Sequence, residues 1–370
     1  MKRPFFRLLG VTVATLTLFA STLLGQESTT KTSLKFVPSN AAAFVYLDVI
    51  GLTKTPDFAL PSQLFAGIRT EADQEFLRHT GLRITDLRDA TYVVPDLVSM
   101  LDSPSEFGLG LFTFAQPLER KLIEDSLPSS WETTETDGRK IYVDRASGLA
   151  IFLASPNTVS LGTEKGVRWF FNNRRNLSDS GIQPLLSKTF GQITMGVNAT
   201  TIPKQFKSFV PPEASPLADI ETAVIGFDFS NGIATKAEFK FPSSEEASKA
   251  TEFAKARIMD AKGMLSELEY QNVSILKSGT PDLETAMTPL GFLAMTRFGQ
   301  KALDETNLNQ SGDTVHAGIS IEGFNGQFVC VTAFSAITAI GSIAESDFQS
   351  ISDELDGSTS KPTLSTEPSD

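Results

Sequence analysis

Two hydrophobic periods run along this chain. Period-two runs rich in aromatic and β-branched residues mark strands: Ala43 to Ile50 ("AFVYLDVI"), 90–94 ("ATYVV") and 107–114 ("FGLGLFTF"). Residues 131–162 read as a β-meander, turning at Asp137-Gly138 and again at Pro156-Asn157, where the residue types suit tight turns. Between these runs the period changes to that of a helix. Pro61 opens one with Leu64, Ile68, Ala72, Phe76 and Leu77 on a single face, closed by Gly81. A second is expected over 117–126, with Pro117 at its first position, and a third from Glu164 to Asn173, carrying Val167, Phe170 and Phe171.

The later part opens with "GQITMGVNA" at 191–199 and a stretch bearing Pro203, Pro211, Pro212 and Pro216. Its clearest unit is strand 222–229, a turn at Asn231-Gly232, strand 233–241 and helix 243–268. Ser243 and Glu246 have the spacing of a capping box, in which each side chain satisfies an N–H group that the helix start leaves free. Ala250, Phe253, Ala254, Ile258, Ala261, Leu265 and Leu268 then form one stripe, so this helix is expected to lie on a sheet.

The same grammar recurs 92 to 94 residues on: a strand from Thr314 to Glu322, a turn at Asn325-Gly326, a strand over 327–334 and a short apolar helix to Ala344. A weaker echo joins "DLRDATYVV" at 86–94 to "DIETAVIGF" at 219–227, an offset of 133 that sets Ala90 against Ala223. The reading is α+β: two related halves of mainly antiparallel sheet, 36–175 and 189–345, with amphipathic helices packed on one face. Polar linkers are expected at 26–35 and 176–188, the latter containing Gly181 and Pro184, and an acidic disordered tail over 346–370.

Residues 1–25 combine a basic start (Lys2, Arg3, Arg7) with an apolar run from Leu8 to Leu24, the grammar of a signal peptide. Cleavage is expected between Thr22 and Gln26. The competing reading is an uncleaved anchor, since the run is at the lower limit for spanning. A membrane role is expected only through such an anchor, and the expected location is extracytoplasmic, secreted or periplasmic. Sequons stand at Asn176, Asn198, Asn272 and Asn309, and matter only where the pathway glycosylates.

Composition narrows the chemistry. Of 370 residues, 32 are Lys or Arg and 44 Asp or Glu, a formal charge of -12 with no basic cluster, so nucleic acid is not an expected partner. Cys330 is the single cysteine, which removes an internal disulfide and any Cys-rich metal or redox centre, and it is expected to act as a small buried apolar residue. His79 and His316 are too few for a multi-histidine site. Phe accounts for 28 aromatics, against two Trp (Trp131 and Trp169) and four Tyr, which suits core filling better than sugar platforms or a lipid cavity.

Local strings that imitate catalytic motifs do not hold together. Asp179-Ser180-Gly181 has the triplet of an aspartic protease without a second copy and reads as a turn. Ser274 and Lys277 have acyltransferase spacing, but the serine is placed in an expected strand rather than at a helix start. Asn307, Asn309, Ser311 and Gly312 match the start of a calcium loop, but Gly318 stands where a bidentate Glu is needed, and an ordinary loop is the reading. The sequence therefore nominates no catalytic, cofactor-binding or metal residues.

The segments "FVPSNAAAFVYLDV" and "TGLRITDLRDATYVV" resemble uncharacterised exported bacterial proteins of a domain-of-unknown-function type, over roughly residues 36–175. The resemblance implies export and an α+β fold and carries over no catalytic residue. The expectation is an extracytoplasmic protein, non-enzymatic, acting through binding or envelope organisation, its protein or envelope partner unidentified. The alternatives are a hydrolase whose carboxylates are dispersed along the chain, which would leave no local motif, and a carrier of apolar or lipid ligands.

Overall fold

The computed structural model describes residues 31–55, 83, 86–96, 108–118, 120–127, 129–175, 181–202, 212–277 and 283–322, together with Gln74 and Leu77. All of these fall in one compact unit, Met1–Phe324. The expected leader, the helix after Pro61, Cys330, His79, the strand over 327–334 and the acidic tail lie outside the described residues.

The first half runs β1 (Ala43–Asp48), α1 (Val49–Thr53), β2 (Leu87–Val94), β3 (Leu109–Phe114), α2 (Arg120–Ser126), β4 (Trp131–Thr136), β5 (Arg139–Asp144), β6 (Leu149–Ser155), β7 (Thr158–Thr163) and α3 (Glu164–Asn173). The second runs α4 (Gln183–Leu186), β8 (Ile193–Asn198), β9 (Thr222–Asp228), β10 (Gly232–Lys240), α5 (Ser244–Lys277), α6 (Leu283–Asp304), β11 (Asn307–Ser311) and β12 (Thr314–Glu322). The twelve strands form one sheet in the order β11-β12-β10-β9-β8-β1-β2-β3-β7-β6-β5-β4. Every strand pair in it is antiparallel.

The two halves meet where β1 pairs with β8, Val45 standing opposite Met195. Counted outward from this seam, both halves follow one path: three successive antiparallel strands, a helix, then a hairpin whose second strand returns beside the third. Thus β1, β2, β3, β7 and β6 answer to β8, β9, β10, β12 and β11. The half-related contacts agree atom for atom. Asp48 N–H donates to Gln192 O (2.7 Å) and Asn198 N–H to Ala42 O (2.8 Å); Ala42 N–H donates to Val94 O and Gln192 N–H to Phe227 O, both 2.8 Å. Phe114 N–H reaches Asn157 O at 2.8 Å, as Phe241 N–H reaches Asp313 O at 2.9 Å. Asp48 caps the turn after β1 through Gly51 N–H, as Asn198 caps the turn after β8 through Thr200 N–H. Asn198 is thereby buried, so its sequon is not open to a glycosyl transferase in the folded chain.

The helices pack on both faces of the sheet, whereas one face was expected. Val167, Phe170 and Phe171 of α3 join Phe44, Tyr46, Leu111 and Phe152 in the main core, where Phe152 meets Phe171 edge-on at 5.2 Å. Following the register from Phe44 through Gly196, Val224 and Glu238 to His316 places Phe239 and Val315 on the opposite face. There Ala247 and Ala250 at the start of α5 close a second, smaller core with Phe241 and Val315. Helix α2 lies on this second face too: Tyr142, next to core-facing Ile141, donates to Glu124 at 2.6 Å. The helices divide because each half sends the helix after its third strand to one face, while α3 follows β7 onto the other.

Five further expectations change. The described end of the expected 26–35 linker, from Lys31 on, is docked: Ser33 and Leu34 are buried in a 3-10 turn, Ser33–Phe36, against β2. The 176–188 linker contains α4, whose neighbour Ile182 and own Leu185 enter the main core. The recurrence 92 to 94 residues apart pairs β9 with β12, two flankers of β10 that do not answer to each other; the 133-residue echo pairs β2 with β9, which do. Ser274 sits in the last turn of α5, not in a strand, because that helix runs to Lys277. Asn307, Asn309 and Ser311 form strand β11, whose same-face side chains stand roughly 6–7 Å apart and cannot surround one ion.

Candidate functional site

The most enzyme-like cluster lies beside the β1–β2 pair, where Asp48 stands opposite Asp89 and Tyr46 opposite Thr91. Both carboxylates are committed to backbone. Asp89 accepts from Ser33 N–H at 2.9 Å and Thr32 N–H at 3.3 Å, while the Ser33 and Thr91 hydroxyls meet at 2.7 Å. Asp48 accepts from Gly51 N–H at 2.8 Å. Lys31 Nζ donates to Thr189 O at 3.0 Å and lies 5.5 Å from the Tyr46 ring, tying the N-terminal strap across the seam. Burial raises the Asp89 carboxyl above the usual carboxylate range, outweighing the bonds from Ser33 and Thr32. Burial, reinforced by Asp89 and Asp48, likewise raises the Tyr46 phenol, and burial lowers Lys31. With Asp89 at 1% exposure, its carboxylate is shut away from solvent and holds the strap down.

A pH signature follows. A carboxyl raised in the folded state binds its proton more tightly there than in the unfolded chain, so its contribution is full below an unfolded value of about 4 and is lost as pH rises through the folded value. Asp89→Asn is neutral at every pH and should remove that decline. Chemical denaturation of both proteins from pH 4 to pH 7 checks it: the difference in stability should change with pH in favour of the variant as pH rises, and a constant difference would contradict the buried-carboxylate account.

At the C-terminal end of β9, Asp228, Ser230, Asn231, Gly232, Ser320 and Glu322 line part of a polar cleft of about 230 Å³. Burial pushes the Asp228 carboxyl up, but Ser230 and Gln192 bonds outweigh it and hold it below its ordinary range. This carboxylate too accepts from a backbone N–H, that of Ser230 at 2.8 Å. Among the described residues no group of three or more His, Cys, Asp or Glu could hold a metal.

The feature that stands out is the pair α5 and α6. Helix α5 has 34 residues, about 50 Å at ~1.5 Å per residue, far more than the sheet uses. Ser243 and Glu246 make half of the expected capping box: Glu246 N–H donates to Ser243 Oγ at 3.3 Å, while the Glu246 carboxylate accepts from the Ser243 hydroxyl at 3.0 Å. Buried Ala247, Ala250 and Thr251 pack its start against the sheet. Beyond them the predicted stripe turns from the sheet to α6. Leu265 approaches Gly299 so closely that a Cβ there would lie 3.0 Å from its Cδ1. Arg297 and Gln300 hold Glu269 at 2.9 and 3.1 Å, and Lys262 holds Asp304 at 2.7 Å.

With the stripe spent on α6, α5 still carries large apolar side chains on its outside: Met259 is 73% exposed, Met264 68%, Tyr270 71% and Ile275 57%. No other large apolar side chain among the described residues reaches half exposure. Yet no described helix is long and apolar enough to cross a membrane. Among the described residues, those of the imitation motifs do not come together as a site: Ser274 and Lys277 are exposed residues in the last turn of α5, Gly181 takes a left-handed turn (φ 65°) and His316 lies on β12 with Nδ1 3.9 Å from Glu238. Trp169 packs on the main core and Trp131 lies on edge strand β4.

No protein-family model matches the chain, and no curated protein matches it. Among solved structures, the "Structure of crystal form I of TP0453" aligns over 83% of this chain and 98% of its own, with a TM-score of 0.38 and 12% identity.

Proposed function

We propose that this chain is an exported, non-enzymatic binding protein: a duplicated β-scaffold that presents the α5–α6 arm to a protein partner outside the cytoplasm. The concentration of exposed apolar side chains on α5 carries the reading, because soluble surfaces seldom hold several such residues on one element without covering them. The leader-like residues 1–25 support export.

Duplication is supported by sequence once the strands are aligned by register. Ser155-Pro-Asn-Thr-Val-Ser-Leu-Gly162 lies over Ser311-Gly-Asp-Thr-Val-His-Ala-Gly318, and Phe112-Thr-Phe114 over Phe239-Lys-Phe241. The one-turn helices Ser33–Phe36 and Gln183–Leu186 stand in the same place ahead of β1 and β8. Between the third strand and the closing hairpin the halves diverge, one adding β4 and β5 to the sheet, the other adding the long arm. Each copy carries its own insertion, and among the described residues only the arm of the two holds large apolar side chains more than half exposed, which supports assigning the specialised role to it.

Site-specific photo-crosslinking in the native cell tests this. A photoreactive residue at 259 or 270 should give one discrete adduct with another protein, lost on Met264→Asp and Ile275→Asp substitution, while the same residue at 133 on β4 gives none. Equal labelling from both positions, or none from the arm, would refute the proposal.

A further inference from the structure

The correspondence of the halves says something about the end of the sheet. In the first half the outer edge of β6 is taken by an antiparallel strand, β5, with Phe152 opposite Ile141. Among the described residues its counterpart β11 is an edge strand. The two-residue turn at Gly312-Asp313 makes Ser311 and Thr314 a hydrogen-bonded closing pair, so Asn307, Asn309 and Ser311 bond inward to β12. Leu308 and Gln310 consequently direct their backbone N–H and C=O groups outward. The opposite edge, β4, carries Glu132 and Glu135, charges that deter strand addition; β11 reads Asn-Leu-Asn-Gln-Ser, with no charge and no proline.

We infer that β11 is a self-association edge, pairing antiparallel with β11 of a second copy about a two-fold axis at Asn309. In that register Leu308 of each copy faces Gln310 of the other, and the two wide-facing residues exchange four backbone hydrogen bonds. The five paired residues carry no charge, so no like charges face each other within the strand, while in the same register Glu305 of each copy stands toward Asp313 of the other at its ends, which weakens the pairing. Two five-residue strands form a small interface, well below the roughly 1,000 Å² of a stable complex, so the association is transient. The inference rests on the correspondence of the halves and not on the role of the arm.

The non-hydrogen-bonded pair at Asn309 brings its two Cα atoms to about 4.5 Å, within disulfide reach. The test uses the full chain with Cys330→Ser and Asn309→Cys. Mild oxidation should yield a covalent dimer. Thr134→Cys on β4 should not, and Gln310→Pro, which removes an outward N–H at an exposed edge position, should reduce the dimer yield at least tenfold. Sedimentation of the unaltered chain should show mass rising with concentration toward twice the monomer. A thiol at 309 that stays free at every concentration overturns the inference, as does slow amide exchange of Leu308 and Gln310 in the monomer, which would mean that the chain's own residues already cover the edge. Arm crosslinking would be unaffected by either outcome.

Discussion

Phe114→Ala and Phe241→Ala should each cost about 3–5 kcal/mol of unfolding free energy, and the two losses should add. These phenylalanines stand at the end of β3 and immediately after β10, are 2% and 1% exposed, and have their N–H groups held by the turn carbonyls of Asn157 and Asp313. Truncation removes a buried ring and leaves a cavity that neighbouring strands, fixed by their ladders, close only in part. Strands β3 and β10 are separated by five strand spacings, about 24 Å, beyond the range at which packing effects couple. The double variant should therefore approach the whole stability of a typical domain. Tyr270→Ala, on the exposed side of the arm, should change stability by less than about 0.5 kcal/mol. Urea unfolding of the four proteins measures this; a large loss at one phenylalanine and none at the other would break the equivalence of the halves.

Gly191→Ala should cost about 3 kcal/mol or more, against about 1 kcal/mol for Gly138→Ala. Both glycines have φ of 66°, a left-handed conformation in which a side chain is strained. Around Gly138 nothing lies within 4 Å of an added Cβ, so only the backbone preference is lost. At Gly191 the same carbon would lie 2.0 Å from the carbonyl oxygen of Phe227, which accepts from Gln192 N–H at 2.8 Å. Relief requires β8 and β9 to part where the second half joins the seam. Thermal unfolding of the two variants compares them directly, and equal losses would show that the close approach at Gly191 is absent.

What could be read from sequence follows how local each determinant is. The meander over β4 to β7 was legible because Asp137-Gly138 and Pro156-Asn157 specify their turns by themselves, and the cap of α5 because Ser243 and Glu246 stand three apart. The N-terminal strap was not, since its anchor Asp89 is 56 residues from Ser33 and looks like any strand carboxylate. Helix α6 was missed for a related reason: Pro289 and Gly291 interrupt the usual helix grammar, while its stability comes from packing along α5. The stripe from Ala250 to Leu268 shows that α5 buries a face, but sheet and helix partners leave the same pattern, so the sequence places this helix on the sheet rather than against α6. The candidate surface was hidden with it. Residues such as Met259 and Tyr270 sit off the stripe and become notable only when their exposure is known.

The join between the halves is the feature on which the rest depends, and a designed cross-link addresses it. Val45 and Met195 are opposite one another at a non-hydrogen-bonded position of β1 and β8, the geometry that admits a disulfide. In a Cys330→Ser background, Val45→Cys with Met195→Cys should oxidise to an intramolecular disulfide, seen as a 2 Da loss and faster migration on a non-reducing gel. Val45→Cys with Val197→Cys, two residues out of register, should stay reduced. Free thiols in the folded first variant, or a bond in the second, would contradict a single sheet turned about the Val45–Met195 pair.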